Sequence, residues 1–194
     1  MGAGMVAKPG VKRTSKLLVT SFQTWLPHQS ENSSDALLGY AASQLALPKT
    51  CILLRNLPVD LMAAFQGVRQ AVERDRPRAV VACGMAEARS QLTVEQFARR
   101  DGVALETGLP LPKLIEGLPQ TEISQDAGNF VCNGLYFDLL ASVAKADNPG
   151  NEVEPAVIEA AVFVHVPILT PTNRDAIAAD FQELLRRLNQ FLNG

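Results

Sequence analysis

The sequence predicts an α/β fold: three layers, with a twisted, mostly parallel sheet between helices on both faces. Three observations predict it. Short apolar runs of strand length alternate with longer segments of helical period along the chain. The strand runs are continuously apolar rather than alternating, as in strands covered on both faces. The order strand–helix–strand–helix–strand is that of successive βαβ units. The 194 residues amount to about one domain, enough to bury a core without disulfide or metal staples. Residues 16–194 are therefore expected to form one domain behind a poorly ordered arm, 1–15.

Lys16–Ser21 is the first strand. An irregular loop with Trp25, Pro27 and His28 leads to a helix start at Ser33 or Ser34, whose hydroxyls can cap it. That helix runs to about Leu47, with Leu37, Leu38, Ala41 and Leu45 on one face, and Pro48 ends it. Thr50–Asn56 is a second strand. Pro58 opens a helix to about Arg74, with Leu61, Phe65, Val68 and Val72 at helical spacing. Arg78–Gly84 is a third, fully apolar strand. Leu92–Phe97 and Val103–Glu106 are strand candidates, and Gly108–Gln120, with Gly-Leu-Pro twice, reads as loop. Gly128–Lys145 has the period of a helix, with Phe130, Leu135, Leu139 and Val143 expected buried. A polar loop at Asp147–Pro155 precedes a last strand, Ala160–Leu169. Thr172–Leu192 closes the chain as an amphipathic helix burying Ile177, Phe181, Leu184, Leu185, Leu188, Phe191 and Leu192, with Thr172 and Asp175 as its start signal.

Composition excludes several function classes. Lys plus Arg number 18 and Asp plus Glu 20, a formal net charge of −2, so the basic footprint of a nucleic-acid binder is missing. Three cysteines and two histidines make neither a disulfide framework nor a paired zinc motif, and the odd cysteine count suits a reducing compartment. No secretory signal follows the basic, polar start, and no apolar run is long enough to span a membrane. The expectation is a cytoplasmic protein with no nucleic-acid or membrane partner.

The scarce residues narrow the chemistry. Cys132 opens a helix, where free N–H groups and the dipole stabilise a thiolate and are expected to lower the thiol pKa. A small buried thiol in a helix is the plainer alternative, and Cys51 and Cys83, inside apolar strands, read that way. His165 stands in the apolar run Val162–Pro167, near the end of a strand, where an imidazole needs a partner. His28 reads as a loop-surface residue. A Cys with a His is the nucleophile–base pair of thiol hydrolases, and a third group must orient the imidazole. Glu95 is an acid in a mainly apolar segment, but spacing alone does not select it over Glu87 or Asp126. Walker, GxGxxG, HExxH and GxSxG patterns are absent.

Three segments carry a resemblance. Glu122–Asn133 reads Glu-Ile-Ser-Gln-Asp-Ala-Gly-Asn-Phe-Val-Cys-Asn. Gly84–Arg89 (Gly-Met-Ala-Glu-Ala-Arg) is followed by Leu92–Ala98 (Leu-Thr-Val-Glu-Gln-Phe-Ala). Phe163–Pro167 reads Phe-Val-His-Val-Pro. These resemble, in turn, the nucleophile, glutamate and histidine motifs of the pyroglutamyl peptidase I (pyrrolidone-carboxylate peptidase) family of cysteine peptidases, over nearly the whole chain from Lys16. Leu57-Pro58-Val59 matches another of its segments.

The resemblance implies a phosphorylase/hydrolase-like α/β fold and a Cys132, His165, Glu95 triad that hydrolyses the amide after an N-terminal pyroglutamyl residue. Neither metal nor cofactor is implied. Phe22 and Trp25 fall where two family aromatics pack on the substrate ring, with Phe130 and Val131 of the cysteine motif beside them. The sequence departs from the family at Glu87 and Ala88, usually glycines, at Met85, Gln96 and Arg100, and at Leu26-Pro27, which replaces a double glycine. The stretch from Glu95 to Cys132 is shorter than the family's. Two alternatives follow: a thiol hydrolase of the same fold acting on another small amide, or a catalytically idle relative serving as a binding module. Homo-oligomerisation stays open.

Overall fold

The computed structural model describes residues 16–44, 47–146 and 158–194. The expected arm 1–15, Leu45 and the loop at 147–155 lie outside the described residues.

The chain order is β1 (Leu17–Phe22), α1 (Ser33–Gln44), β2 (Cys51–Leu57), α2 (Leu61–Asp75), β3 (Ala79–Met85), β4 (Leu92–Glu95), β5 (Phe97–Arg100), β6 (Val103–Glu106), α3 (Leu111–Ile115), β7 (Thr121–Ser124), α4 (Val131–Ala146), β8 (Ala160–Val166) and α5 (Arg174–Asn193). Six strands form one sheet in the order β2-β1-β3-β8-β4-β7, and β5 pairs with β6 in a separate hairpin. β2, β1, β3 and β8 run parallel, β4 is antiparallel to β8, and β7 is parallel to β4. The sheet is thus mixed: its parallel half comes from the βαβ units, its reversed half from the less regular middle of the chain.

The alternation of side chains along each strand sorts the core into two layers. Leu17, Val19, Val81, Val94, Val162 and Val164 face a layer closed by α1, α3 and α5. Leu18, Val80, Ala82, Ala161 and Phe163 face the other, closed by α2 and α4. Helices on both faces explain why β1, β3 and β8 read as continuous apolar runs. At the edge, β2 leaves Arg55 and Asn56 exposed, a charged, twisted margin of the kind that discourages edge pairing. Asn56 has φ 59, and beside it the β1–β2 register shifts so that Phe22 pairs with Leu57.

Local signals explain most boundaries. α2 begins at Leu61, later than the expected Pro58, because the Asp60 carboxylate accepts from Ala63 N at 2.8 Å. It ends where Arg76 takes the left-handed conformation, φ 50. The start of α5 differs from the expected Thr172 cap. Asn173 is the cap residue, and its side chain turns backwards, accepting from Thr170 N and donating to Ile168 O. The one-turn helix α3 lies where the sequence reads as loop, and the strand β7 follows in a stretch to which the sequence reading assigns no element. β7 is held at its start by the buried Asp180 of α5, whose Oδ2 accepts from Gln120 N at 2.6 Å and Thr121 Oγ1 at 3.0 Å. Two expected core residues are corrected. Phe130 precedes α4 and is 49% exposed, and Phe191 lies on the outer side of α5 and is 51% exposed. No described helix is long and apolar enough to cross a membrane.

Candidate active site

His165 occupies the sixth position of β8, on the face shared by Ala161 and Phe163. Its backbone is flanked on one side by Gly84 of β3 and on the other by Thr93 of β4. Glu95 lies two residues further along β4, on the same face, with Phe163 as its direct partner. Glu95 and His165 are therefore diagonal cross-strand neighbours, a separation that long side chains bridge. Glu95 Oε1 meets His165 Nδ1 at 2.7 Å and also accepts from Thr93 Oγ1 at 3.2 Å. The Glu95 carboxyl is fully buried and His165 is 7% exposed. Oε2 of Glu95 is buried without a hydrogen-bond partner among the described residues. A half-satisfied buried carboxylate gives up stability, and such exceptions gather at functional sites.

Cys132 is the second residue of α4. Gly84 explains how the thiol reaches the sheet. A Cβ at that position would lie 2.8 Å from Cys132 Sγ and 2.8 Å from Phe163 Cζ. The missing side chain lets the thiol rest over the β3 backbone, beside the strand position paired with His165. Cys132 is partly buried, and burial pushes its thiol up to about 12, aided by the nearby Glu95 carboxylate and opposed by its own backbone N–H. This corrects the expectation of a lowered thiol: desolvation outweighs the helix start. Cys51 is also pushed up, to about 11, by burial, and Cys83 further still.

The start of α4 is fastened from several sides. Asn133 grips β5 at two points, accepting from Arg99 N at 2.8 Å and donating to Arg99 O at 2.6 Å. Arg100 reaches Asp138 at 2.6 Å and Gly134 O at 2.8 Å, with its guanidinium over the Phe137 ring. Arg89 donates to Ser124 Oγ and Asp126 O, bracing the loop that leads to the cysteine. One turn beyond Cys132, the Tyr136 hydroxyl donates to the main-chain carbonyl of Glu95 at 2.8 Å.

The four aromatic and apolar candidates separate. Trp25 and Phe130 are 50% and 49% exposed, with ring centroids 4.5 Å apart. Val131, at the start of α4, is partly buried. Phe22 is 2% exposed and belongs to the core layer under α2 and α4. Gln29 connects the Trp25 loop to the loop after β3: its Oε1 accepts from Trp25 N and Leu26 N, and its Nε2 donates to Glu87 at 2.7 Å. His28, solvent-facing as expected, also contacts Glu87, at 3.2 Å. These two bonds hold the Glu87 carboxyl below its ordinary range, that from Gln29 most. Among the described residues no cluster of His, Cys, Asp and Glu is arranged to hold a metal ion.

No family model matches the chain. Among curated proteins it is 29% identical over 181 residues to the pyrrolidone-carboxylate peptidase of Vibrio vulnificus (strain YJ016), covering 79% of each chain. It is 25% identical over 187 residues to that of Aliivibrio fischeri (strain MJ11), covering 82% of each. The structure of pyroglutamyl peptidase I from Bacillus amyloliquefaciens superposes with a TM-score of 0.74 at 19% identity, over 91% of this chain and 98% of that one. The chain is thus similar in sequence to curated pyrrolidone-carboxylate peptidases and in fold to pyroglutamyl peptidase I. The pyrrolidone carboxyl peptidase of Thermococcus litoralis shares the fold as well, with a TM-score of 0.70 at 22% identity over 92% of this chain and 94% of that one. The α/β architecture expected from the sequence is thus that of pyroglutamyl peptidase I structures.

Three further residues at the candidate site lie outside those singled out in the sequence analysis. Gly84 carried a signal, since a glycine inside an apolar strand marks a close approach. Tyr136 stands four residues after Cys132, on the same helical face. Asn133 lies in the cysteine motif itself, but its partner, a strand backbone, has no sequence signature.

Proposed function

We propose that the protein is a cysteine exopeptidase that removes an N-terminal pyroglutamyl residue from peptides, with Cys132 as nucleophile, His165 as base and Glu95 as the group orienting the imidazole. The observation that carries this reading is the buried Glu95–His165 pair at 2.7 Å, in a chain similar to curated proteins named pyrrolidone-carboxylate peptidase. With Nδ1 of His165 engaged by Glu95, Nε2 is the nitrogen left to accept the thiol proton. Proton transfer accompanies attack: Sγ bonds to the scissile carbonyl carbon as its proton passes to His165. Backbone N–H groups at the start of α4 are suited to receive the oxyanion. The tetrahedral species collapses, the C–N bond breaks, and the amine leaves with the proton from His165. A water molecule, deprotonated by the same imidazole, then hydrolyses the thioester. The pyroglutamyl ring carries no charge, so shape and ring contact from Trp25, Phe130 and Val131 would hold it, with Phe22 backing the pocket from the core.

The test is a fluorogenic pyroglutamyl amide. Wild type is expected to release the fluorophore and Cys132→Ala to release none. A folded wild type without turnover rejects the substrate. The second reading, the same thiol chemistry on another small amide, is favoured by the Gln29–Glu87 connection at a position where the family usually has glycine. A panel of acyl amides separates the two.

A further inference from the structure

We propose that Tyr136 is a positioning residue, setting the end of β4 so that the Glu95 carboxylate reaches His165 while Cys132 stays in step with both. The proposal rests on the triad reading above and concerns how its three members are kept in register.

Tyr136 lies one helical turn after Cys132, so the two side chains share a face of α4. Its ring is fully buried in the layer between α4 and the sheet. A buried tyrosine hydroxyl needs a partner, and the identity of that partner is informative. The hydroxyl donates to the main-chain carbonyl of Glu95 at 2.8 Å, with the Thr107 side chain also against it. Glu95 is the last residue of β4, and the chain turns towards β5 directly after it. The bond therefore holds the strand at the point from which the carboxylate must span a diagonal to β8. The ring has a second contact. Phe163, the direct strand partner of Glu95, packs against Tyr136 at 6.0 Å and against His165 at 4.8 Å between centroids. One side chain on the nucleophile's helix thus touches the acid's strand by a hydrogen bond and the base's ring through one intervening phenyl. Burial pushes the phenol above its ordinary range, so it remains a donor across working pH.

A double-mutant cycle with two readouts tests the proposal. The first is kcat and KM for a fluorogenic pyroglutamyl amide. The second is the rate at which iodoacetamide alkylates Cys132, which needs no substrate assignment. In the wild-type background Tyr136→Phe is expected to lower kcat about tenfold with KM within about twofold, and to slow alkylation comparably. In the Glu95→Gln background the same change is expected to alter neither readout by more than about twofold, because the hydroxyl acts through the carboxylate. Equal penalties in both backgrounds overturn the proposal, as does alkylation that Glu95→Gln leaves unchanged. A Tyr136→Phe protein that fails to fold by circular dichroism assigns the hydroxyl to stability and overturns it too. If wild type does not turn over the amide, the substrate reading fails while the alkylation cycle still decides the role of Tyr136.

Discussion

Replacing Gly84 by alanine adds one methyl group at the point where sheet and helix come closest. The new carbon would stand 2.8 Å from Cys132 Sγ and 2.8 Å from Phe163 Cζ, where ordinary contact begins at 3.4 Å. The shortfall is about 0.6 Å, and one of the two neighbours must yield it. Phe163 is fully buried and wedged between Tyr136 and His165, so movement falls mainly on the thiol and the first turn of α4. Overpacking of this kind costs about 1–3 kcal/mol of stability. Because misplacing a reacting atom by about 1 Å costs about a hundredfold in rate, kcat for the pyroglutamyl amide is expected to fall between about 10-fold and 100-fold. The assay pairs turnover with urea unfolding, so that loss of activity is scored only on folded protein. A stable Gly84→Ala protein with wild-type kcat would refute the reasoning: the thiol resting over β3 would then not be the one that reacts.

Four further outcomes are expected. Glu95→Asp shortens the side chain by one methylene, about 1.5 Å, and so breaks the 2.7 Å contact to His165; turnover should drop about a hundredfold or more, and a loss below threefold would remove the acid from the triad. Asn133→Ala strips partners from both backbone groups of Arg99 and should destabilise by about 2–3 kcal/mol, read as a lower urea midpoint. Thiol ionisation sets an alkaline limb: Cys132 and Cys51 are raised from 9.0 to about 12 and about 11, so the unfolded chain ionises first and binds fewer protons, and stability, complete below pH 9, should decline as pH rises towards the folded values by up to about 1.4 kcal/mol per pH unit per thiol. Melting scans from pH 8 to 11 on wild type and Cys51→Ala test this, the variant showing the shallower decline. Finally, Gln29→Ala frees Trp25 N and leaves Glu87 with its His28 contact alone; KM for the pyroglutamyl amide should rise several-fold with kcat nearly unchanged, and an unchanged KM would separate this loop from substrate binding.

How much was legible follows from how local each signal is. β1, β3 and β8 announce themselves because both faces of each strand are apolar, so any register reads the same. α5 has an unbroken amphipathic period over twenty residues. β7 is four residues long, with Glu122 exposed, and is stabilised by Asp180, which lies about sixty positions later and leaves no trace near residue 121. Phe130 and Phe191 were misjudged because helical period alone does not say how far a helix extends past the sheet. At the site, composition singled out Cys132 and His165, since few alternatives exist, but singling out Glu95 needed the family motif; only strand pairing puts it diagonal to His165. The direction of the thiol pKa was misread because the helix start is visible in sequence, whereas the desolvation that overrides it comes from tertiary packing.

The placement of Glu95 and His165 on hydrogen-bonded neighbouring strands has a consequence for how the chain tolerates change in length. A ladder fixes their separation through backbone bonds at Thr93, Val94 and Glu95, and none of these passes through the segment between Glu95 and Cys132. Residues can be lost from that segment without altering the distance from carboxylate to imidazole. What such a deletion must preserve is only the return of the chain to Asn133 and Tyr136, the two side chains that dock α4 onto β5 and β4. Insertions and deletions in that segment therefore leave the Glu95–His165 contact, which the sheet alone fixes, as it is.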